Sequence, residues 1–180
     1  MKLVILDRDG VINQDSATFI KNPNEWIPIP GSLEAIALLN QRGYRVAVAT
    51  NQSGIARGYF DMAALNAIHE KMHKAVAQAG GRIDAVFYCP HAADDNCACR
   101  KPKTGMIEEI GLRFNLELSK VFGVGDALRD LQAFANAGCQ PYLVRTGKGE
   151  ETCHLADVPA NTIVVADLAA AVQDIIAGDR

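Results

Sequence analysis

The sequence lacks an excess of charge of either sign. Its 18 Lys and Arg face 21 Asp and Glu, for a net charge of −3. That excludes the strongly basic surface expected of a nucleic-acid or anionic-membrane binder. The sequence also lacks a long apolar run, and no stretch approaches the roughly 20 residues needed to span a bilayer. The apolar opening Met1–Leu6 stops at Asp7, too short for the core of a signal peptide. No internal repeat, low-complexity tract or linker interrupts the chain. These absences predict one domain over residues 1–180, in the cytoplasm, with no nucleic-acid, membrane or protein partner. At 180 residues and 49% hydrophobic composition, the chain is long and apolar enough to bury a core.

What is present is a regular alternation. Continuous apolar runs at Lys2–Leu6, Tyr44–Ala49, Arg82–Tyr88, Lys120–Val124, Pro141–Val144 and Thr162–Val165 read as buried strands. Between them lie helical patterns at Ser32–Arg42, Asp61–Ala79, Met106–Asn115, Ala127–Ala137 and Leu168–Ala177. Ser32 and Asp61 are suited to helix N-caps, and Gly43 and Gly80 to helix ends. Asp15–Pro30, with three prolines and two asparagines, reads as an irregular flap. Apolar strands alternating with helices predict an α/β fold, a parallel sheet covered on both faces. Ligands of such sheets sit beyond the carboxyl ends of the strands.

Those ends are where the polar clusters fall: Asp7-Arg8-Asp9-Gly10, Thr50-Asn51-Gln52-Ser53-Gly54, Arg100-Lys101 in a cysteine-rich loop, and Gly125-Asp126. Residues i and i+2 of an extended segment share a side. Asp7 and Asp9 therefore place two carboxylates together, which favours a cation between them. Carboxylates beside a phosphate are typical magnesium surroundings. Asp126 completes such a set, and Asp130, one turn on, is placed to ligate or orient it. A carboxylate can attack phosphorus to form an aspartyl-phosphate, while a second one moves the protons. Lys101 and Arg100 are suited to the developing negative charge. Thr50 and the amides of Asn51–Ser53 are suited to phosphate oxygens.

Taken together, Asp7-Arg8-Asp9-Gly10, Thr50 through Gly54, Arg100-Lys101-Pro102 and Gly125-Asp126 resemble the four motifs of the haloacid dehalogenase-like phosphatases, over nearly the whole chain. The resemblance implies a Rossmann-like sheet with a short flap and a zinc loop in place of a large cap. It implies Asp7 as nucleophile, Asp9 as general acid and base, and Thr50 and Lys101 as phosphoryl-stabilising groups. Magnesium would be held by Asp7, the Asp9 carbonyl and Asp126. Within the superfamily, Thr50 through Tyr59 and Cys89-Pro90-His91 through Cys97-Ala98-Cys99-Arg100-Lys101-Pro102 resemble the heptose-bisphosphate phosphatases of bacterial surface-polysaccharide synthesis. That likeness implies Arg100 in substrate recognition and Asp15 at the start of a substrate-contacting segment, with Asn51, Gln52, Ser53 and Arg57 alongside. Two positions depart from the pattern. Ala127 stands where the group often carries lysine, which removes a cationic contact, and Thr104 stands where proline is common. The histidinol-phosphate phosphatases resemble the chain at the same motifs and form an alternative, as does a non-catalytic zinc-binding module.

Cys89, His91, Cys97 and Cys99 supply three sulfurs and an imidazole, a donor set that suits structural zinc; the alternative is a loop of reduced thiols. With four protein ligands no position stays open, so the metal's expected role is to pin the loop and present Arg100 and Lys101. His69-Glu70-Lys71-Met72-His73 matches H-E-x-x-H, the zinc-protease signature. Leu65, Ile68, Met72 and Val76 form an apolar stripe on the same helix, however, and the segment reads as packing with its histidines at the stripe's edge. Trp26 reads as a packing residue or a cleft-lining one. Cys139, Cys153 and His154 read as structural, and Arg129 and Arg145 carry no role the sequence gives.

Overall fold

In the computed structural model, which describes residues 1–179, alternate residues of β1 (Lys2–Leu6) bury into opposite layers. Val4 and Leu6 join one apolar cluster, and Leu3 and Ile5 the other. That two-sided burial is why the strand reads as an unbroken apolar run. Around it stand β2 (Tyr44–Asn51), β3 (Ala85–Cys89), β4 (Phe122–Gly125), β5 (Gln140–Val144) and β6 (Ile163–Val165). All pairings are parallel, in the order β3-β2-β1-β4-β5-β6. The order reverses between β1 and β4, which opens the crevice where such sheets bind ligands.

One face carries α1 (Ser32–Gln41), α2 (Met62–Gln78) and α6 (Leu168–Ala177), through Ile36, Leu39, Ile68, Met72, Val76, Leu168 and Val172. The other carries α3 (Gly105–Phe114) and α4 (Leu128–Asn136), through Met106, Ile107, Ile110 and Phe134. Among the described residues no helix is long and apolar enough to cross a membrane.

Several boundaries shift for physical reasons. Ser32 is not the cap of α1 but its first residue. Gly31, at φ +87°, precedes it, and the Ser32 hydroxyl donates to the Val11 carbonyl at 2.8 Å. β3 begins at Ala85 rather than Arg82, because the two residues flanking Ile83 make side-chain bonds in place of a full ladder: the Asp84 carboxylate accepts from the Val46 amide, and the Arg82 amide donates to the Asn40 side chain. β2 runs two residues past Ala49, since β3 stays paired with it as far as Asn51 and Cys89. Lys120 belongs to a 3-10 turn, Leu118–Lys120, so β4 starts at Phe122. A short helix, α5 (Gly149–Thr152), is too short to show a period in the sequence.

The flap is irregular but anchored. It holds one 3-10 turn, Pro23–Glu25, capped by the Asn22 side chain. Ile20 and Trp26 are buried in the core, so Trp26 packs and does not line the cleft. Lys71 of α2 donates to the carbonyls of Pro23 and Trp26, at 2.7 and 2.8 Å, and ties the flap to that helix.

Candidate active site

β1, β2 and β4 end at the switch point, and their last residues project onto one rim. Asp7 follows β1, with its amide donating to Val124 of β4. Thr50 and Asn51 close β2, and Asp126 follows β4. A polar cavity of about 210 Å³ opens there. Asp7, Asp9, Asp126 and Thr50 line its floor, and Asp15, Ser53, Arg57 and Arg100 its sides. Gly10, at φ +84°, lies so close to Asp126 that any side chain there would collide with its carboxylate.

Lys101 is buried beneath the floor. Its Nζ donates to Asp7 Oδ1 (3.1 Å) and to the Ala49 carbonyl (2.6 Å), and lies 2.8 Å from Asp130 Oδ1. Burial alone would push its pKa down; Asp130 and Asp7 more than offset this and hold it above the usual value. Asn51 aligns the lysine backbone, its side-chain amide donating to the Lys101 carbonyl and accepting from the Lys101 amide. Asp130 also caps α4, accepting from the Ala127 amide at 3.0 Å. Asp130 is thus turned to Lys101 and to the helix end.

Two carboxylate oxygens remain open. Asp7 Oδ2 and Asp126 Oδ1 accept no hydrogen bond among the described residues, while Asp7 Oδ1 takes the Arg8 amide and Asp126 Oδ2 the Lys148 amide, both at 2.8 Å. The ligand atoms of Asp7, Asp126 and Asp130 lie within 4.8 Å of one another. With no cation between them, burial and the Asp130 charge push Asp7 up to about 7, and burial, Asp130 and Asp7 push Asp126 up to about 8. Two strained carboxylates with free oxygens fit a hard divalent cation such as magnesium.

Asp9 behaves differently. Burial would raise it, but the Arg8 guanidinium more than offsets this and holds it below the usual carboxylate value. Arg8 grips both oxygens at 2.8 and 3.2 Å, and Asn13 and Gln52 also donate to them. The H-E-x-x-H helix makes no metal site here. His69 is buried against Arg8, not half-exposed at the stripe's edge, and the clustered metal donors among the described residues do not include it.

Some sequence expectations are modified. The Gln52 amide donates to the Cys89 carbonyl at 2.7 Å, so it is not available to a phosphate; the Ser53 amide has no partner among the described residues. The Gln52 side chain holds Thr50 and Asp9 and stands behind the cavity wall, while Asn51, whose side chain holds Lys101, also lines the cavity. Arg129, Lys148 and Phe19 also line the cavity. Arg129 has no motif to announce it; only its place in the first turn of a helix that starts at the rim could have pointed to it.

The cysteine loop assembles as its residue types require. Cys89 Sγ lies 3.5 Å from His91 Nδ1, 3.6 Å from Cys97 Sγ and 3.0 Å from Cys99 Sγ, and Cys99 Sγ lies 3.4 Å from His91 Nδ1. Zinc at about 2.3 Å from sulfur and 2.0–2.1 Å from nitrogen needs donor separations of about 3.5–3.8 Å. Three of the four separations lie at or within 0.1 Å of that range, and the 3.0 Å pair Cys89–Cys99 opens by under 1 Å to admit a tetrahedral zinc. Burial pushes the Cys89 thiol up to about 12, while hydrogen bonds, led by the Arg100 amide, overcome burial and bring Cys97 down to about 6.

Comparison with known proteins agrees with this geometry. Residues 2–140 match the family model described as polynucleotide kinase 3 phosphatase. The D-glycero-beta-D-manno-heptose-1,7-bisphosphate 7-phosphatase of Bordetella bronchiseptica is 58% identical over 176 residues, covering 98% of both chains. The enzyme of that name from Pseudomonas aeruginosa is 54% identical, covering 93% of this chain and 94% of its own. The crystal structure of D,D-heptose 1,7-bisphosphate phosphatase from B. bronchiseptica, complexed with magnesium and phosphate, superposes with a TM-score of 0.97 at 57% identity, covering 99% of each chain. A β-phosphoglucomutase from Clostridium difficile, at 13% identity and a TM-score of 0.59, shares the fold alone. This chain is therefore an enzyme, and it belongs to the D-glycero-D-manno-heptose-1,7-bisphosphate 7-phosphatases of the haloacid dehalogenase-like superfamily.

Proposed function

We propose that this phosphatase removes the 7-phosphate of D-glycero-β-D-manno-heptose 1,7-bisphosphate through an aspartyl-phosphate on Asp7. The observation that carries the mechanism is the pairing of Asp7 and Asp126, each with an open oxygen, beside the buried Lys101 at the switch point. The substrate rests on the family and on the relatives' names, which specify the β anomer. Those relatives give no support to histidinol phosphate as substrate, to proteolysis or to an idle zinc module.

A carboxylate oxygen of Asp7, which lines the cavity, attacks phosphorus. The new bond forms as the bond to the sugar oxygen breaks, and Asp9 delivers a proton to that leaving oxygen. Asp9 then takes a proton from water, whose oxygen attacks phosphorus and frees Asp7 and inorganic phosphate. Arg8 holds Asp9 ionised in the resting site, the form that accepts the proton from water. An arriving phosphate dianion acts in the opposite direction and favours the protonated form. Lys101, Thr50 and the Ser53 amide hold the transferring group. Arg57, Arg100 and Lys148, together with Arg129, supply positive charge for a sugar carrying two phosphates, and Arg129 offsets the cation missing at Ala127.

Asp7 and Asp126, with the Asp9 carbonyl, would hold magnesium, which neutralises charge between the nucleophile and the phosphate when bound. Cys89, His91, Cys97 and Cys99 would hold a structural zinc. All five cysteines are free thiols, and a zinc-ready cluster of them fits the reducing cytoplasm. The test is magnesium-dependent phosphate release from heptose 1,7-bisphosphate and from histidinol phosphate, with the sugar product identified. Strong preference for the heptose, giving heptose 1-phosphate, is expected. Preference for histidinol phosphate, or loss of the 1-phosphate, contradicts the reading.

A further inference from the structure

The H-E-x-x-H segment, which carries no metal, has a different structural role. Arg8 is fully buried, and its guanidinium meets two partners. Nε and one terminal nitrogen fork onto the two Asp9 oxygens. The other terminal nitrogen, Nη1, lies 3.1 Å from His69 Nε2, in a buried contact between the first loop and α2. An arginine has no lone pair to offer, so the histidine nitrogen must be the acceptor and its ring the neutral tautomer protonated at Nδ1. Burial and the neighbouring Arg8 charge support that state by pushing His69 down to about 3.

Resting on the acid–base role given to Asp9 above, we propose that His69 is a positioning residue for proton delivery, fixing Arg8 so that its fork orients the Asp9 carboxylate toward the leaving oxygen. The chain of contacts is short and buried. Without the His69 acceptor, Nη1 of the buried Arg8 has no partner among the described residues, and a buried donor nitrogen left so drives rearrangement. The guanidinium then turns to find a partner, and the carboxylate plane it grips turns with it. Asn13 and Gln52 hold one Asp9 oxygen each and cannot fix the plane alone. Nearby Lys71 does separate work on the flap, and Met72 packs in the core, so the motif's residues divide among distinct tasks.

The test uses the dependence on leaving group. p-Nitrophenyl phosphate expels a stable phenolate and needs little help from an acid; heptose 1,7-bisphosphate expels a sugar alkoxide and needs it strongly. The quantity measured is kcat/KM, which covers events up to the first release and so excludes the later water attack common to both esters. For His69→Leu, kcat/KM on the heptose ester is expected to fall about tenfold further than on the nitrophenyl ester, a fraction of the hundredfold or more that a general acid supplies. His69→Gln, which restores a neutral acceptor at similar reach, is expected to recover most of that difference. Equal losses on the two esters, or no loss on either, overturn the proposal and leave the aspartyl-phosphate reading standing. Should His69→Leu not fold, Arg8→Lys carries the same test. It keeps the charge, loses the fork, and must show the same split between the esters; equal losses again overturn the proposal. A failure of Asp9 as acid is recognised separately, by Asp9→Asn showing no leaving-group dependence.

Discussion

The strand ends and the cysteine loop both bring charged groups to one cavity, but they hold them by different means. Asp7 and Asp126 follow β1 and β4, and Thr50 is the next-to-last residue of β2; the ladders and two-sided burial of these strands fix their positions. Arg100 and Lys101 ride on a loop with little packed core beneath it. Lys101 is fixed by three buried oxygens and by Asn51. Arg100 is half-exposed and reaches only the His91 carbonyl, at 3.5 Å. A charge placed by a sheet needs only the right position in the chain. A charge placed by a loop needs a cross-link, here the Cys89–His91–Cys97–Cys99 cluster.

The comparison is sharpened first at the strand ends. Asp126→Asn is expected to lower kcat/KM by about a thousandfold, the loss seen when a group stabilising the developing charge is removed. Zinc content should stay unchanged, and the check is steady-state kinetics beside metal analysis. Asp130→Asn comes next. It strips a buried lysine of one counter-charge, and breaking a buried pair costs about 3 kcal/mol or more. Urea unfolding should show that loss, over a hundredfold in the folding equilibrium. An unchanged midpoint would mean that the pair at Lys101 is not what holds the loop to the sheet.

The loop side should respond more mildly. Cys99→Ser is expected to lose zinc and to slow turnover by up to about a hundredfold, since small misplacements of a catalytic group cost that much. The circular dichroism of the sheet and helices should survive. A variant that loses zinc but keeps full activity would show that the loop holds Lys101 without metal.

The pH dependence of magnesium binding tests the strand ends once more. Without a cation, Asp7 and Asp126 titrate at about 7 and about 8 in the folded chain, above the ordinary carboxylate range. Stability from their protonated forms is complete below about pH 4 and is lost as pH rises through 7 to 8. Magnesium removes that cost, so its thermal stabilisation should be larger at about pH 8.5 than at about pH 6, by roughly a kcal/mol for each pKa unit relieved. Equal stabilisation at both values would place the cation elsewhere.

The same two regions show what the sequence makes legible. Strand ends are readable because burial imposes apolar runs and the polar residue ending each run stands out. Asp7, Thr50 and Asp126 are therefore legible in the chain alone. The cysteine loop is readable for another reason: three thiols and an imidazole in eleven residues have few other uses. The sequence conceals which polar groups face the cavity and which stand behind it. Gln52 has the residue type of a ligand contact, yet its side chain stands behind the cavity and braces Thr50. Arg129 has the look of a surface charge and lines the cavity. His69 has the spacing of a metal ligand and holds an arginine. Those distinctions depend on side-chain direction across separate elements, which period and spacing do not encode.

The most direct test of the account is phosphate release by Asp7→Asn on heptose 1,7-bisphosphate with magnesium, with zinc content and melting temperature measured on the same preparation. The account predicts turnover lowered by more than about a thousandfold, with zinc retained and the fold intact. Turnover near that of the unaltered enzyme would contradict it, because the aspartyl-phosphate is formed on Asp7.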